Sequence, residues 1–201
     1  MNILAHGYLS GRNDDLLIGN FIGDFIKGDP DHPRHKLLAG VIAGVRLHRA
    51  IDTFTDTHPD VAAVRELLRP RCHKYAGVAV DVFFDHFLAV GFEALTTEPL
   101  GDFIQYFYRT IRLRQNSLPV DAVRMADYMI RQDWLTNYQY LEGIDRSLNG
   151  LSRRTTYPSG LDSAVEDLVT YYKEIDAHFQ HFWAELNEHI ERVRTELLLL
   201  L

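Results

Sequence analysis

The chain is poor in cysteine and has no long apolar run. Cys72 is the only cysteine among 201 residues, so no disulfide can form within the chain and the fold does not depend on an oxidising compartment. No apolar run approaches the roughly 18 residues that a transmembrane helix needs. The first residues also lack the basic segment and long apolar core of a signal peptide. These absences predict a cytoplasmic protein without a membrane span.

The chain also has no excess of positive charge. Its net charge is −7, from 28 acidic and 21 basic side chains, so no global positive field draws in nucleic acid. Local basic clusters nevertheless occur, and each is either a solvated helix face or a docking site for an anionic partner. The clusters are Arg65, Arg69, Arg71 and Lys74, then Arg109, Arg112 and Arg114, then Arg153 and Arg154.

Strand-like alternation of apolar and polar residues is missing as well, and apolar residues instead repeat at three and four positions. The content of 46% hydrophobic and 24% charged residues is that of a globular protein. We therefore predict an all-α fold of about seven to nine helices in a single domain over residues 1–201. The expected helical segments are one containing Val41–Ile51, then Tyr75–Leu95, Gly101–Leu113, Asp121–Gln132, one or two within Trp134–Asn149, and a long C-terminal segment within 161–201, broken at most once.

Familiar catalytic signatures are absent too. There is no Gly-rich phosphate loop, no Gly-x-Ser-x-Gly, no His-Glu-x-x-His and no cysteine pair for zinc. The first 90 residues hold instead an unusual set of histidines and aspartates in apolar sequence. These are His6, Asp24, His48, Asp52, Asp56, Asp81, Asp85 and His86.

The spacing of these residues predicts a cation site. His48 and Asp52 are four apart, so on a helix they lie on one face and can converge on one ion. Asp81 and Asp85 are stacked in the same way among apolar neighbours, where two carboxylates repel each other and are costly to desolvate. A divalent metal offsets this most simply, and mixed imidazole and carboxylate ligands suit manganese, iron or zinc-type ions.

Other interpretations of single residues stay open. Arg46 or Arg49 could pair with the carboxylates in place of a metal. We expect His32, His35, His58 and His73 to be surface residues, and His178 and His181 to lie on an exposed helix face, although their spacing of three could bind metal. We expect Cys72 to be structural.

Several segments that carry these residues resemble one known family. They are Met1–His6, Gly19–Gly28, Gly40–Asp56, Val80–Leu88, Trp134–Tyr138 and Leu148–Arg154, which together span about three quarters of the chain. Their sequence and order resemble the acyl-carrier-protein phosphodiesterases, also called holo-ACP hydrolases. The resemblance is more specific than any one motif.

The resemblance implies a helical enzyme similar to a divergent branch of the HD-domain phosphohydrolases, with manganese as the expected ion. Members of the family hydrolyse the phosphodiester between 4′-phosphopantetheine and a serine of acyl carrier protein, which releases the prosthetic group and apo carrier protein. The usual HD dyad is His followed by Asp, whereas this chain has Asp85 followed by His86. Ligand positions of ordinary HD enzymes are therefore not transferred.

The residue types and the family resemblance together predict roles for individual side chains of the site. Arg49 could hold the phosphate, because a guanidinium matches it bidentately. His6 is either a ligand or the acid that protonates the leaving serine oxygen, and Asp81 is a ligand, an orienter of an imidazole or a general base. The expected metal ligands are Asp24, His48, Asp52, Asp85 and His86.

The implied partner is acyl carrier protein, a small acidic protein that needs a local basic patch to dock. Arg153 with Arg154, or the cluster of Arg65 and Arg69, could form that patch. The leucines of Leu197–Leu201 are expected to pack on the chain's own domain or on a second subunit, so a homo-oligomer is possible.

Two other functions remain open at this stage. One is a metal-dependent phosphohydrolase of a nucleotide or another small phosphoester on the same scaffold. The other is a non-catalytic helical binding module, in which the histidines and aspartates form buried ion pairs.

Overall fold

A computed structural model describes residues 3–201 of the chain. All regular secondary structure in this range is helical, so the predicted all-α class is confirmed. The α-helices are α1 Ile3–Leu9, α2 Asp14–Phe21, α3 Ala39–Thr57, α4 Pro59–Cys72, α5 Ala76–Val90, α6 Phe92–Thr96, α7 Leu100–Leu113, α8 Val120–Arg131, α9 Trp134–Asn137, α10 Leu141–Ser152, α11 Val165–Thr170 and α12 Tyr172–Leu199. Short 3₁₀ turns occupy Gly23–Phe25, Pro33–His35, His73–Tyr75, Gln115–Ser117 and Leu161–Ser163.

The helices are more numerous than the periodicity predicts, because the additional ones are short. α1, α6, α9 and α11 have seven, five, four and six residues, too few for a three-to-four repeat to stand out. The helix expected over Tyr75–Leu95 is divided at Gly91 into α5 and α6. The long C-terminal segment is interrupted at Tyr171, between α11 and α12.

Helix α5 lies at the centre of the fold. Eleven of its fifteen residues are buried, and it contacts α1, α4, α10 and α12. Helix α12 covers the core with a stripe of buried side chains that includes Phe179, Phe182 and Leu186. Because α5 is buried on nearly every side, its polar residues can reach only other buried groups or an internal cavity.

Helices α2 and α3 pack closely against each other, and glycine makes this approach possible. A Cβ on Gly19 would lie 2.0 Å from the carbonyl oxygen of Val41, and a Cβ on Gly44 would lie 2.4 Å from that of Leu16. Both distances are far below van der Waals contact. Only residues without a side chain fit at these two positions, and the 3₁₀ turn that follows α2 is thereby held against α3.

Two expectations about exposure are corrected. His58 is buried, with 5% of its surface exposed, because it is the single residue between α3 and α4 and its side chain caps α4 by accepting from Asp60 N. Leu197 packs against the core as expected, whereas Leu199, Leu200 and Leu201 are exposed by 82%, 78% and 60% and do not. Whether a second subunit covers them stays a prediction.

Within residues 3–201, no helix combines the length and apolar character that crossing a bilayer requires.

Replacing Gly19 with alanine should destabilise the protein by at least about 2 kcal/mol, because the new methyl group would overlap the backbone of α3. Urea unfolding followed by circular dichroism measures this. Gly101→Ala is the matched control, since a Cβ there meets nothing within 4 Å and alanine favours the helix, so its stability should be unchanged or slightly raised. Equal effects of the two substitutions would contradict the proposed close packing.

Candidate functional site

A cavity of about 350 Å³ lies where α1, α2, α3 and α5 meet. We call it the His–Asp cavity. Its polar lining is made of His6, Asn20, Asp24, His48, Thr55, Asp52, Asp56 and Asp81, and its apolar lining includes Ile3, Phe21, Phe107 and Met125. Of the eight sequence-predicted catalytic and metal residues, five line this cavity: His6, Asp24, His48, Asp52 and Asp81.

The carboxylate of Asp52 joins two imidazoles from different helices. Its Oδ1 lies 3.2 Å from Nε2 of His6 on α1, and its Oδ2 lies 3.1 Å from Nε2 of His48 one turn earlier on α3. Asp24, on the 3₁₀ turn after α2, places Oδ1 3.5 Å from the same His48 nitrogen. Four residues from three separate segments therefore converge at one point.

Asn20 determines which nitrogen of His6 faces the cluster. The amide Nδ2 of Asn20 donates to the carbonyl oxygen of His6 and to Oγ of Ser10, so its Oδ1 must be the acceptor 2.6 Å from Nδ1 of His6. Nδ1 of His6 therefore carries the proton. Burial lowers the pKa of His6, although Asp52 opposes this, so the ring is neutral near pH 7 and presents the lone pair of Nε2 to Asp52.

A lone pair aimed at a carboxylate is repulsive unless a cation lies between them. The donor atoms of His6, His48 and Asp52 all lie within 4.8 Å of one another. Around an ion with ligand bonds of about 2.0–2.2 Å, neighbouring donors lie about 2.8–3.6 Å apart, from octahedral to tetrahedral coordination. The observed separations of 3.1, 3.2 and 3.5 Å all lie within that range. The arrangement fits a divalent ion.

His48 is seated against the backbone of the turn that carries Asp24. A Cβ on Gly23 would lie 2.2 Å from Cγ of His48, so this glycine provides the space for the ring. Burial disfavours the imidazolium, but hydrogen bonds to Asp24 and Asp52 outweigh it and raise the pKa of His48 to about 9. The same contacts hold the pKa of Asp52 well below its usual range, although burial alone would raise it. Without a metal, a proton on His48 supplies the missing positive charge.

Asp81 and Asp85, which the sequence places on one face of α5, have different surroundings. Asp81 lines the His–Asp cavity, and burial raises the pKa of its carboxyl. Asp85 is fully buried and accepts from the backbone N–H groups of Leu4 at 2.8 Å and Ala5 at 3.2 Å. Burial raises the pKa of Asp85 to about 7, against these two hydrogen bonds. Asp85 thus anchors the first turn of α1, the helix that carries His6.

His86 and Arg49 lie outside the cluster. Nδ1 of His86 donates to the carbonyl oxygen of Tyr138 at 2.8 Å, and its Nε2 lies 3.0 Å from the hydroxyl of Tyr172. Nη2 of Arg49 donates to the carbonyl oxygens of Ile26 at 3.1 Å and Gly28 at 2.6 Å, which fixes the segment after Asp24. The structure does not bring Asp85, His86 or Arg49 to the point where His6, His48 and Asp52 meet.

The two arginine clusters also differ. Arg65 faces Asp56 at 3.6 Å, and Arg69 pairs with Glu66 at 2.6 Å on the same helix. Arg153 and Arg154 instead line a second cleft of about 670 Å³, which shares Ile3 and Met125 with the His–Asp cavity.

His178 and His181 form a separate network with Asp60. Nδ1 of His178 lies 2.6 Å from Oδ1 of Asp60, and Nδ1 of His181 lies 2.5 Å from Oδ2. These separations are shorter than the roughly 2.8–3.6 Å expected between two ligands of one ion, and they are those of charge-assisted hydrogen bonds. This network ties α12 to the start of α4.

Sequence reasoning missed Asn20 and Gly23. Neither residue type indicates a metal site on its own, because asparagine and glycine are common in loops and helix ends. Their positions beside Asp24 were the available signal, but their partners His6 and His48 are distant in sequence. Only the folded chain shows that Asn20 orients the imidazole of His6 and that Gly23 leaves space for the imidazole of His48.

The described residues define an all-α protein with a carboxylate-bridged pair of histidines suited to a divalent cation. The family model described as "Acyl carrier protein phosphodiesterase" matches residues 1–186. The chain belongs to this family.

Curated relatives bear the same description. A protein named "Acyl carrier protein phosphodiesterase" from Klebsiella pneumoniae (strain 342) is 33% identical over 189 residues, covering 92% of this chain and 95% of the relative. One from Photorhabdus laumondii subsp. laumondii is 33% identical over 192 residues, covering 95% and 96%. No solved structure shows a significant match.

The ion pairs of His48 predict that the free energy of unfolding depends on pH when a chelator keeps the protein free of metal. The folded pKa of about 9 exceeds the ordinary value of 6.5, so the stabilisation is complete below about pH 6.5 and is lost as pH rises through about 9. Asp52→Asn removes one partner of His48. The change in the free energy of unfolding between pH 6 and 9.5 should therefore be smaller by more than about 1 kcal/mol in this variant. Urea unfolding of both proteins between pH 6 and 9.5 measures it. Parallel curves would show that His48 does not titrate against Asp52.

The anchoring role of Asp85 predicts a graded loss of stability. Asp85→Ala leaves two buried N–H groups without an acceptor and should cost about 2–4 kcal/mol, whereas Asp85→Asn keeps one acceptor oxygen and should cost about half as much. Hydrogen exchange at Leu4 and Ala5 should accelerate in the same order. Unchanged exchange at these two amides in Asp85→Ala would refute the anchoring role.

Proposed function

We propose that the protein is a metal-dependent phosphodiesterase that hydrolyses the 4′-phosphopantetheine–serine linkage of holo acyl carrier protein. The observation that carries the proposal is the convergence of His6, His48 and Asp52 in a cavity at donor spacings suited to one divalent ion. Membership of the phosphodiesterase family, with coverage of nearly the full length of its relatives, supplies the substrate.

The ion would be held by Nε2 of His6, Nε2 of His48 and the carboxylate of Asp52, with Asp24 completing the set from the cavity rim. A divalent ion at such a site lowers the pKa of water and neutralises phosphoryl oxygens. Mixed nitrogen and oxygen donors suit manganese, which we propose as the first ion to test. Asn20 holds His6 in the tautomer that leaves Nε2 free to bind.

Asp81 is the proposed proton carrier. It lines the same cavity as the proposed metal ligands, and burial raises the pKa of its carboxyl, which makes the group a stronger base than an exposed aspartate. A carboxyl with these properties can take a proton from the attacking water and return it to the serine oxygen that leaves. Because Nδ1 of His6 is bound to Asn20, we assign His6 to the ligands rather than to the acid role.

Arg49, Asp85 and His86 support the site in this proposal. Asp85 fixes the first turn of α1, and thereby the position of His6 relative to α5. Arg49 holds the carbonyl groups that follow Asp24. His86 links α5 to Tyr138 and Tyr172. Each of the three acts through backbone or aromatic partners.

Incubation of holo carrier protein with the purified protein and Mn²⁺ should convert it to apo carrier protein. Mass spectrometry detects the loss of the phosphopantetheine mass, and chelator should abolish it. His48→Ala and Asp52→Asn should each reduce the rate by at least about 100-fold, because each removes a donor. Equilibrium dialysis should show the same variants losing bound Mn²⁺, which separates loss of the ion from loss of chemistry.

His181→Asn is the matched control. It replaces a histidine that lies outside both cavities, and it should retain metal binding and turnover. A protein that binds Mn²⁺ and hydrolyses nucleotides but not holo carrier protein would replace the proposed substrate with a small phosphoester. A protein that neither binds a divalent ion nor hydrolyses any of these substrates would refute the enzyme proposal.

A further inference from the structure

The His–Asp cavity adjoins a second cleft with the opposite charge. Ile3 and Met125 line both, so the two are neighbouring parts of one depression. Four aspartates line the first compartment, whereas four arginines line the second. We call the second compartment the arginine cleft, and its arginines are Arg131 at the end of α8, Arg146 on α10, and Arg153 and Arg154 directly after α10.

These four arginines contrast with several others in the described part of the chain, because they have no carboxylate partner there. Among residues 3–201, none of them lies in an ion pair with a carboxylate, whereas Arg65, Arg69, Arg71 and Arg114 each do. The polar contact of Arg146 is to Oδ1 of Asn137 at 2.7 Å, which is uncharged. Asp133, which also lines the cleft, bonds instead to the hydroxyls of Tyr108 and Thr136.

Such an arrangement stands out in a chain of net charge −7. Like charges gathered without counter-charges repel one another and raise the free energy of the folded protein. An external anion that supplies the counter-charges is therefore bound favourably. The neighbouring His–Asp cavity, which is lined by aspartates, has the opposite effect on an anion. It repels any anionic substrate that approaches without compensating positive charge.

We propose that the arginine cleft docks the acidic surface of the protein substrate beside the scissile phosphodiester. This inference rests on the proposed function and deepens it by naming the surface that binds the protein part of the substrate. All four arginines are exposed, so their guanidinium groups reach outward to a partner's surface. A site for a small free anion would instead enclose it with buried donors.

The aromatic residues of the arginine cleft also favour a protein surface as its ligand. Tyr128 and Trp134 line it and pack edge to face at 5.6 Å, with Tyr128 48% exposed. Amphipathic aromatic side chains surrounded by arginine are typical of protein interfaces. The alternative cluster lacks these features, because Arg65 is already paired with Asp56 on α3 and Arg69 with Glu66 on α4.

Fluorescence anisotropy with labelled apo carrier protein tests the docking without any turnover. Arg153→Glu/Arg154→Glu and Arg131→Glu/Arg146→Glu should each weaken its binding to the full chain by at least about ten-fold, and the salt dependence should flatten. Arg46→Glu/Arg192→Glu is the control, with the same change in net charge at two arginines that pair with carboxylates outside the cleft and outside the alternative cluster. It should bind as the unmodified protein does.

Kinetics supply a second readout. In Mn²⁺, the cleft variants should raise KM for holo carrier protein while leaving hydrolysis of bis(p-nitrophenyl) phosphate unchanged, because that compound has no protein part. Retained hydrolysis of the small diester also shows that the variants are folded. The lysine double variant Arg153→Lys/Arg154→Lys keeps the charge and should retain most of the affinity.

Several results would overturn the inference. Binding of apo carrier protein that is unaffected in both reversal variants would exclude the cleft, and equal weakening in the control would show an effect of net charge alone. Dependence on the arginines for holo but not apo carrier protein would assign the cleft to the prosthetic arm. Binding that follows the prediction without any cleavage of holo carrier protein would support docking and refute the hydrolase, so the two proposals fail separately.

Discussion

The geometry of the site depends on the close contact between α2 and α3. Gly19 and Gly44 let the two backbones meet where any side chain would overlap a carbonyl oxygen. This contact sets the turn with Gly23 and Asp24 directly over His48, whose ring fills the space that Gly23 leaves. A wider spacing of the helices would separate Asp24 from His48 and leave the carboxylate of Asp52 with fewer partners.

A chain of positioning contacts extends from that helix pair to the rest of the site. Asn20 on α2 selects the tautomer of His6, and Asp85 on the buried α5 binds the first turn of the helix that carries His6. These contacts are buried and hydrogen-bonded, so they are stiff and costly to break. The side chains that would hold the proposed ion are therefore already oriented without it, and such preorganisation favours tight and selective binding.

Charge is distributed unequally around the depression. Carboxylates gather in the His–Asp cavity, where the proposed cation would offset them, and guanidinium groups without a carboxylate partner among the described residues gather in the arginine cleft, where the proposed anionic partner would offset them. The average charge of −7 conceals this separation. The separation follows from folding, because α8, α10 and the residues directly after α10 supply the arginines, whereas the turn after α2, α3 and α5 supply the carboxylates.

Much of this protein was predictable from the sequence by itself. The three-to-four repeat of apolar residues predicted an all-α fold, the spacing of His48 and Asp52 predicted a shared helix face, and the ordered segments around them predicted the family. These features are local or additive along the chain. Only the tertiary structure decided which residues meet. It placed Asp81 on the cavity and Asp85 against the first turn of α1, buried His58, and joined His6 to Asn20 and Asp52. Such contacts depend on how distant segments pack and not on their spacing in sequence.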